Sequence, residues 1–165
     1  MNDVLGYSGR RCIVIGAGSG VGEAATRILV DLGAEVHLVD SRKPDVTGIA
    51  SFSETDLNDV DALARTVDAI GAVVNNLFNC AAAIGTVREV TERVIPNMIE
   101  GAVIASVAGG AAAEPVARYT ADRSVELVER GIRINCLRSG AGDERAWPLV
   151  LLGSPRMNPV TGLSL

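Results

Sequence analysis

Short apolar runs alternate along the chain with stretches in which apolar residues recur at helical spacing. Cys12 to Ile15 reads as a strand. A glycine-rich turn follows, then Val21 to Leu32 with the period of a helix, Gly33 as its stop, and Val36 to Val39 as a second strand. Strand, helix, strand in that order is a βαβ unit, which requires a parallel sheet covered by helices. Further along, a short strand is expected at Ile49 to Phe52 and a helix at Asn58 to Ile70, opened by acidic residues and closed by Gly71. Ala72 to Cys80 is apolar apart from its asparagines, as a buried central strand should be. Val87, Val90, Val94, Ile95 and Met98 keep helical spacing, with Pro96 expected to kink or end that helix. Then come a strand at Ala102 to Ser106, a loop at Gly109 to Ala113, a helix from Val116 to Arg130 stopped by Gly131, and a strand at Ile132 to Leu137. The last stretch holds an apolar segment at Trp147 to Leu152, in which Trp147 and Leu149 to Leu152 are expected to pack the last helix, and a final strand at Thr161 to Leu165. Six or seven parallel strands in one doubly wound, three-layer αβα domain spanning residues 1–165 is the expected α/β architecture.

Composition narrows the chemistry. Of 165 residues, 48% are apolar, enough for one domain with a sizeable core. Fifteen basic against twenty acidic residues leave a net charge of −5, and no basic block is present, which argues against nucleic acid as a partner. Lys43 is the single lysine and His37 the single histidine, so a His-based triad or metal cluster would have to use His37. Alternation along Val36 to Asp40 already accounts for His37 as a strand residue, and no metal site is expected. Cys12, Cys80 and Cys136 each lie in an apolar run without CxxC spacing, as reduced thiols of a cytoplasmic protein would. There is no signal-peptide pattern and no uncharged apolar stretch of about 18 residues, so neither a leader nor a membrane span is expected.

The candidate chemistry begins at the first turn. Gly16, Gly18, Gly20 and Gly22, with Ser19 and Val21 between them, join a strand to a helix, where glycines let a pyrophosphate approach the backbone amides at the positive helix N-terminus. Asp40 ends the next strand, where a carboxylate would bond the hydroxyls of an adenosine ribose. A purely structural use of the glycines is the alternative.

With these residues the chain resembles the short-chain dehydrogenase/reductase family, and within it the group of hydroxysteroid and coniferyl-alcohol dehydrogenases. Ile15 to Gly22 looks like the family's TGxxxGIG turn, with Ile15 in place of the threonine. The resemblance implies NAD, because the charge of Asp40 would repel a 2′-phosphate, while Arg42 nearby keeps NADP open. Asp56 and Leu57 resemble the pair that holds adenine, with a helix N-cap as the alternative for Asp56. Asn79 to Ala82, through Ala81, resembles the NNAG segment, and Gly131 to Asn135 and Val160 to Leu163 resemble the sixth and seventh strands.

For catalysis the family uses Ser, Tyr and Lys, with an asparagine completing a proton relay. Ile104 to Gly109 looks like ISSVAG, which implies that Ser106 orients the carbonyl. Tyr119 follows 13 residues later, and Tyr119 to Arg123 would be YxxxK with Arg123 in the lysine position. A second, ungapped register is preferred: Tyr119 to Asn135 matches the later half of the family's long helix and its strand, and Tyr119 then packs that helix. Arg123 cannot release a proton near neutrality, and its plain alternative is an ion pair with Glu126. The relay asparagine is absent, the helix before Gly101 is short, and Arg138-Ser139-Gly140 replaces a proline-glycine, so the active-site rim is shortened. The resemblance therefore implies hydride transfer between NAD and a secondary alcohol or ketone, with impaired turnover, and a homo-oligomer is compatible with it. The alternatives are a silent nucleotide-binding or oligomer-forming protein, or a trimmed product without activity.

Overall fold

A computed structural model describes residues 3–71, 73–81, 83–138, 142–156 and 161–165. Ala82, Ser139, Gly140 and Val160 of the matched segments lie outside the described residues. Six strands, β1 (Arg11–Ile15), β2 (Glu35–Asp40), β3 (Ser51–Glu54), β4 (Val74–Asn79), β5 (Met98–Ala108) and β6 (Arg133–Arg138), form one parallel sheet in the order β3-β2-β1-β4-β5-β6. This is the doubly wound order, whose reversal lies between β1 and β4.

Alternation along each strand divides the core between two faces. Cys12, Val14, Val36, Leu38 and Phe78 point to α1 (Gly20–Asp31) and α5 (Ala146–Gly153). Ile13, Ile15, Val39, Leu77, Ile104 and Ile134 point to α2 (Val60–Ile70), α3 (Ile84–Val94) and the end of α4 (Ala113–Leu127). The result is a three-layer αβα sandwich.

Several boundaries differ from the pattern. β5 starts at Met98 rather than Ala102, because residues 98–101 extend the strand with mostly exposed side chains that carry no alternation signal. β3 runs from Ser51 to Glu54, paired in register with His37 to Asp40. Pro96 sits in a single 3-10 turn, Ile95–Asn97, which α3 enters after Val94, so the helix ends rather than kinks. The segment from Thr161 joins β6 by one parallel bridge, Cys136 to Ser164, supported by Gly162 N donating to Ile134 O at 2.7 Å and Leu165 N to Cys136 O at 3.0 Å. It is an edge pairing rather than a full seventh strand. Trp147 does not pack α5; it is 53% exposed, while Leu149, Val150 and Leu152 carry the buried side of that helix.

Asn75 and Asn76 of β4 find partners on neighbouring segments. Asn75 Oδ1 accepts from Arg11 N at 2.8 Å, and Asn76 accepts from Arg10 Nε at 2.8 Å while donating to Gly153 O at 2.7 Å. An amide is tolerated in a central strand where it finds such partners, as these two do. His37 is buried in β2, with Nδ1 2.8 Å from Ser51 Oγ and Nε2 2.9 Å from Glu35 Oε1, as a structural strand residue.

Candidate functional site

β1 ends at Ile15 and the chain reverses at Gly16, whose φ of +81° suits glycine. A Cβ there would stand 2.8 Å from Ala81 N and 2.9 Å from the Cys80 carbonyl carbon, so the turn passes tightly over the end of β4. At Gly22 a Cβ would collide with the Gly16 carbonyl oxygen, and at Gly18 it would lie 2.6 Å from Arg42 O and 2.7 Å from Asp40 Oδ1. Ser19 is the extended N-cap of α1 and makes no side-chain cap bond, which leaves the first-turn amides without that partner. Val21 faces the core. Backbone that is packed this closely and ends in a helix N-terminus is a cradle for an anion.

Asp40 and Arg42 hold the turn from the side. Asp40 Oδ2 accepts from Gly18 N at 2.9 Å, and Oδ1 accepts from Arg42 N at 3.1 Å. The Arg42 guanidinium donates to Gly18 O, from Nε at 2.9 Å and also from Nη2. Both polar groups of the Gly18 peptide unit are thereby fixed, and the carboxylate stands beside the turn at the end of β2.

Asp56 lies exposed beyond β3, its Oδ1 accepting from Asn58 N at 2.9 Å in a side-chain turn. It is not the helix cap: Asp59 fills that position, accepting from Ala62 N at 2.9 Å. Leu57 is half-buried, and its carbonyl accepts from Thr86 Oγ1 at 3.1 Å, which ties this loop to α3.

A second group of polar residues lies on the α3 and α4 side of the sheet. Asn79 and Ser106 are register partners on β4 and β5, and both are buried. Asn79 Nδ2 donates to Ser106 Oγ and to Thr91 Oγ1, each at 3.2 Å, while Asn79 Oδ1 is buried without a partner. Tyr119 of α4 donates its hydroxyl to Glu92 Oε1 on α3 at 2.7 Å. Arg123 donates from Nη2 to Glu92 Oε2 at 2.9 Å and also pairs with Glu126. Burial first, and then the Glu92 carboxylate, raise the Tyr119 phenol well above its ordinary range; the Arg123 charge and the nearby Thr91 hydroxyl oppose this less strongly. The Arg88 guanidinium sits 5.7 Å from the centre of the Tyr119 ring.

Tyr119 and Glu92 line a groove of about 600 Å3 between α3 and α4, with Ile84, Arg88, Pro115 and Arg123. This is within the size range of small-molecule pockets. Among the described residues no hydrogen bond joins Ser106 to Tyr119 directly; the polar path runs Ser106, Asn79, Thr91, with Glu92 and Tyr119 one residue further. The sequence pattern did not single out Thr91 or Glu92. The helical period that marks Val87, Val90 and Val94 as inward leaves Glu92 on the outer side, and only the position of α4 gives it Tyr119. No cluster of three or more metal-ligating side chains occurs among the described residues.

No family model matches the chain. Solved structures do match it throughout. The short-chain dehydrogenase/reductase from Serratia marcescens is 18% identical with a TM-score of 0.83, covering 96% of this chain and 95% of that one. An NADH-dependent reductase, A1-R′, complexed with NAD is 18% identical with a TM-score of 0.84, covering 100% and 96%. The ligand-free aldohexose dehydrogenase of Thermoplasma acidophilum is 17% identical with a TM-score of 0.83, covering 96% and 92%. The fold is that of the short-chain dehydrogenases/reductases. The reversal of a doubly wound sheet, beyond the carboxyl ends of its strands, lies here where the Gly16 turn meets Ala81. No helix among the described residues is long and apolar enough to cross a membrane.

Proposed function

We propose that the protein is an NAD-dependent oxidoreductase of the short-chain dehydrogenase type, acting on a secondary alcohol or ketone, with a hydroxysteroid as the first class to test. The observation that carries this reading is the turn from Gly16 to Gly22, closed against Ala81 and flanked by the Asp40 carboxylate. Its residues fit the dinucleotide. The glycines admit no side chain, the first-turn amides of α1 suit a pyrophosphate, and Asp40 suits a ribose diol and opposes a 2′-phosphate. Arg42, engaged with the Gly18 carbonyl, offers little to such a phosphate, which favours NAD over NADP. Asp56 and Leu57 would border the adenine. Asn79 and Ala81 would border the second ribose, and the unpartnered Asn79 Oδ1 is an acceptor ready for a donor there. NAD, when bound, supplies a hydride acceptor for the alcohol carbon.

Within the chain, Ser106 Oγ accepts from Asn79 and keeps its own proton free to donate to a substrate oxygen. Tyr119 is the acid/base group, and Arg123 orients Glu92 and adds positive charge without exchanging a proton. The Arg123 to Glu126 pair found in the structure equally suits the plain surface role. The three free cysteines suit a reducing, cytoplasmic compartment. A second reading, a nucleotide-binding protein without turnover, is favoured by the raised Tyr119 phenol and by Lys43 being the single lysine. Titration with NAD, followed by assays of NAD reduction on a panel of secondary alcohols, separates the two. Binding with reduction is expected; binding without reduction supports the silent protein, and no binding overturns both.

A further inference from the structure

The groove between α3 and α4 is lined by none of the residues assigned to the dinucleotide: the turn from Gly16 to Gly22, Asp40, Asp56 and Asn79 all lie outside it. Its own chemistry suits a different ligand. We propose that this groove binds a small amphipathic monocarboxylate, an acid with an aromatic or branched aliphatic body, whose carboxylate pairs with Arg88. The inference goes beyond the oxidoreductase reading and does not depend on it.

Arg88 is a cation that the packing of the two helices leaves without a counter-charge. Its natural partner on α3 is Glu92, four residues on, at the spacing where helix ion pairs form. Both Glu92 oxygens are taken by α4 instead, Oε1 by the Tyr119 hydroxyl at 2.7 Å and Oε2 by Arg123 at 2.9 Å. On the α4 wall, one Glu114 oxygen is held by Arg138 at 3.0 Å and the other lies 3.9 Å from Arg118. Among the described residues Arg88 has no carboxylate within ion-pair distance, and its guanidinium rests 5.7 Å from the centre of the Tyr119 ring. A guanidinium held against a ring keeps N–H donors for a carboxylate, which it can meet with two parallel bonds.

The rest of the lining selects the body and the charge of the ligand. Ile84 packs on the core around Val87 and Val116, and the Tyr119 ring on the core around Val90 and Leu127, so with Pro115 they give the groove an apolar surface. A volume of about 600 Å3 holds a body of one or two rings. Asp122 is the carboxylate of this lining that has no ion pair among the described residues, and a bound anion meets its like charge. Arg88 offsets one negative charge. A phosphate monoester or a dicarboxylate brings a second, while Arg118 and Arg123 already face carboxylates of the chain. The groove therefore fits a single carboxylate rather than a doubly charged anion.

The test uses the full chain, isotope-labelled and followed by amide chemical shifts near neutral pH, with phenylacetate as the probe. Shifts should move along Ile84 to Glu92 and Glu114 to Arg123 and leave Gly16 to Gly22 still, with a Kd of about 1 mM or tighter. Phenylacetamide, the same body without the charge, and inorganic phosphate, charge without the body, should each bind about tenfold more weakly. Arg88 is exposed, so its variants should fold; Arg88→Gln should weaken phenylacetate about tenfold, and Arg88→Lys, which keeps the charge and loses the fork, by less. Asp122→Asn should tighten it about two- to fivefold. No saturable shift up to about 10 mM, well beyond the expected Kd, shifts centred on Gly16 to Gly22, equal affinity for phenylacetamide, or unchanged affinity in Arg88→Gln overturns the proposal. Sedimentation of the same samples tests the other occupant. A wild-type dimer that Arg88→Gln dissociates means that a second copy of the chain fills the groove, and this too overturns the ligand site.

Discussion

The two polar regions of this molecule are built in opposite ways. Around Gly16 to Gly22 the surface proposed for the dinucleotide is mostly backbone: Gly18 and Gly22 have no room for a Cβ, and Asp40 and Arg42 hold the Gly18 peptide. Between α3 and α4 the groove is made of side chains from two helices, Glu92 and Arg88 on one and Tyr119 and Arg123 on the other. A backbone site depends on local φ/ψ and spacing and tolerates almost no added volume. A side-chain site depends on how two helices pack and tolerates substitution far better.

That contrast can be broken by mutation. Gly22→Ala should have the largest effect, about 3 kcal/mol of lost stability from forced backbone movement, together with loss of NAD binding. Urea unfolding and NAD titration measure both, and a variant of wild-type stability would show that the turn has slack that its packing does not suggest.

A pH series sharpens the comparison on the sheet between the regions. Burial pushes the Cys12 thiol from 9.0 up to about 12, so the folded chain keeps its proton where the unfolded chain loses it. That contribution to stability is complete below pH 9.0 and is lost as pH rises from there toward about 12. The urea midpoint should fall over this window, and less steeply in Cys12→Ala; equal slopes would mean that the thiol does not contribute.

Asp40→Ala should weaken NAD by a factor of ten to a hundred, roughly the 1.5–3 kcal/mol of a hydrogen bond to a charged group, and should also cost stability, because the Gly18 and Arg42 amides lose their acceptor. Calorimetric titration decides this, and unchanged affinity would move the ribose contact elsewhere. The smallest effect belongs to the helix side. Gly85 in the first turn of α3 has open space where a Cβ would stand, so Gly85→Ala should raise stability by about 0.5 kcal/mol. A measured loss there would show that the groove half is as tightly constrained as the glycine turn.

Legibility followed the same division. The βαβ unit, the glycine spacing and the carboxylate at the end of β2 were all readable, because each depends on residues a few positions apart. The asparagines of β4 were visible as exceptions in an apolar run, but their partners Arg10, Arg11 and Gly153 come from other segments. Asp56 and Asp59 are both plausible caps three residues apart, and only the backbone course before α2 selects Asp59. Trp147 was expected to pack because it is large and aromatic, whereas the rotation of α5 turns Leu149, Val150 and Leu152 inward instead.

By itself the sequence determined the layered parallel fold, the position of the glycine turn between β1 and α1 and the impossibility of a YxxxK constellation, since the one lysine, Lys43, lies upstream of Ser106. Those properties follow from periodicity, from glycine spacing and from a count. The company of Tyr119 was decided by the tertiary structure alone. Glu92 is 27 positions away and on the outward side of its own helix, and it became the phenol's partner because α3 and α4 pack side by side on one face of the sheet.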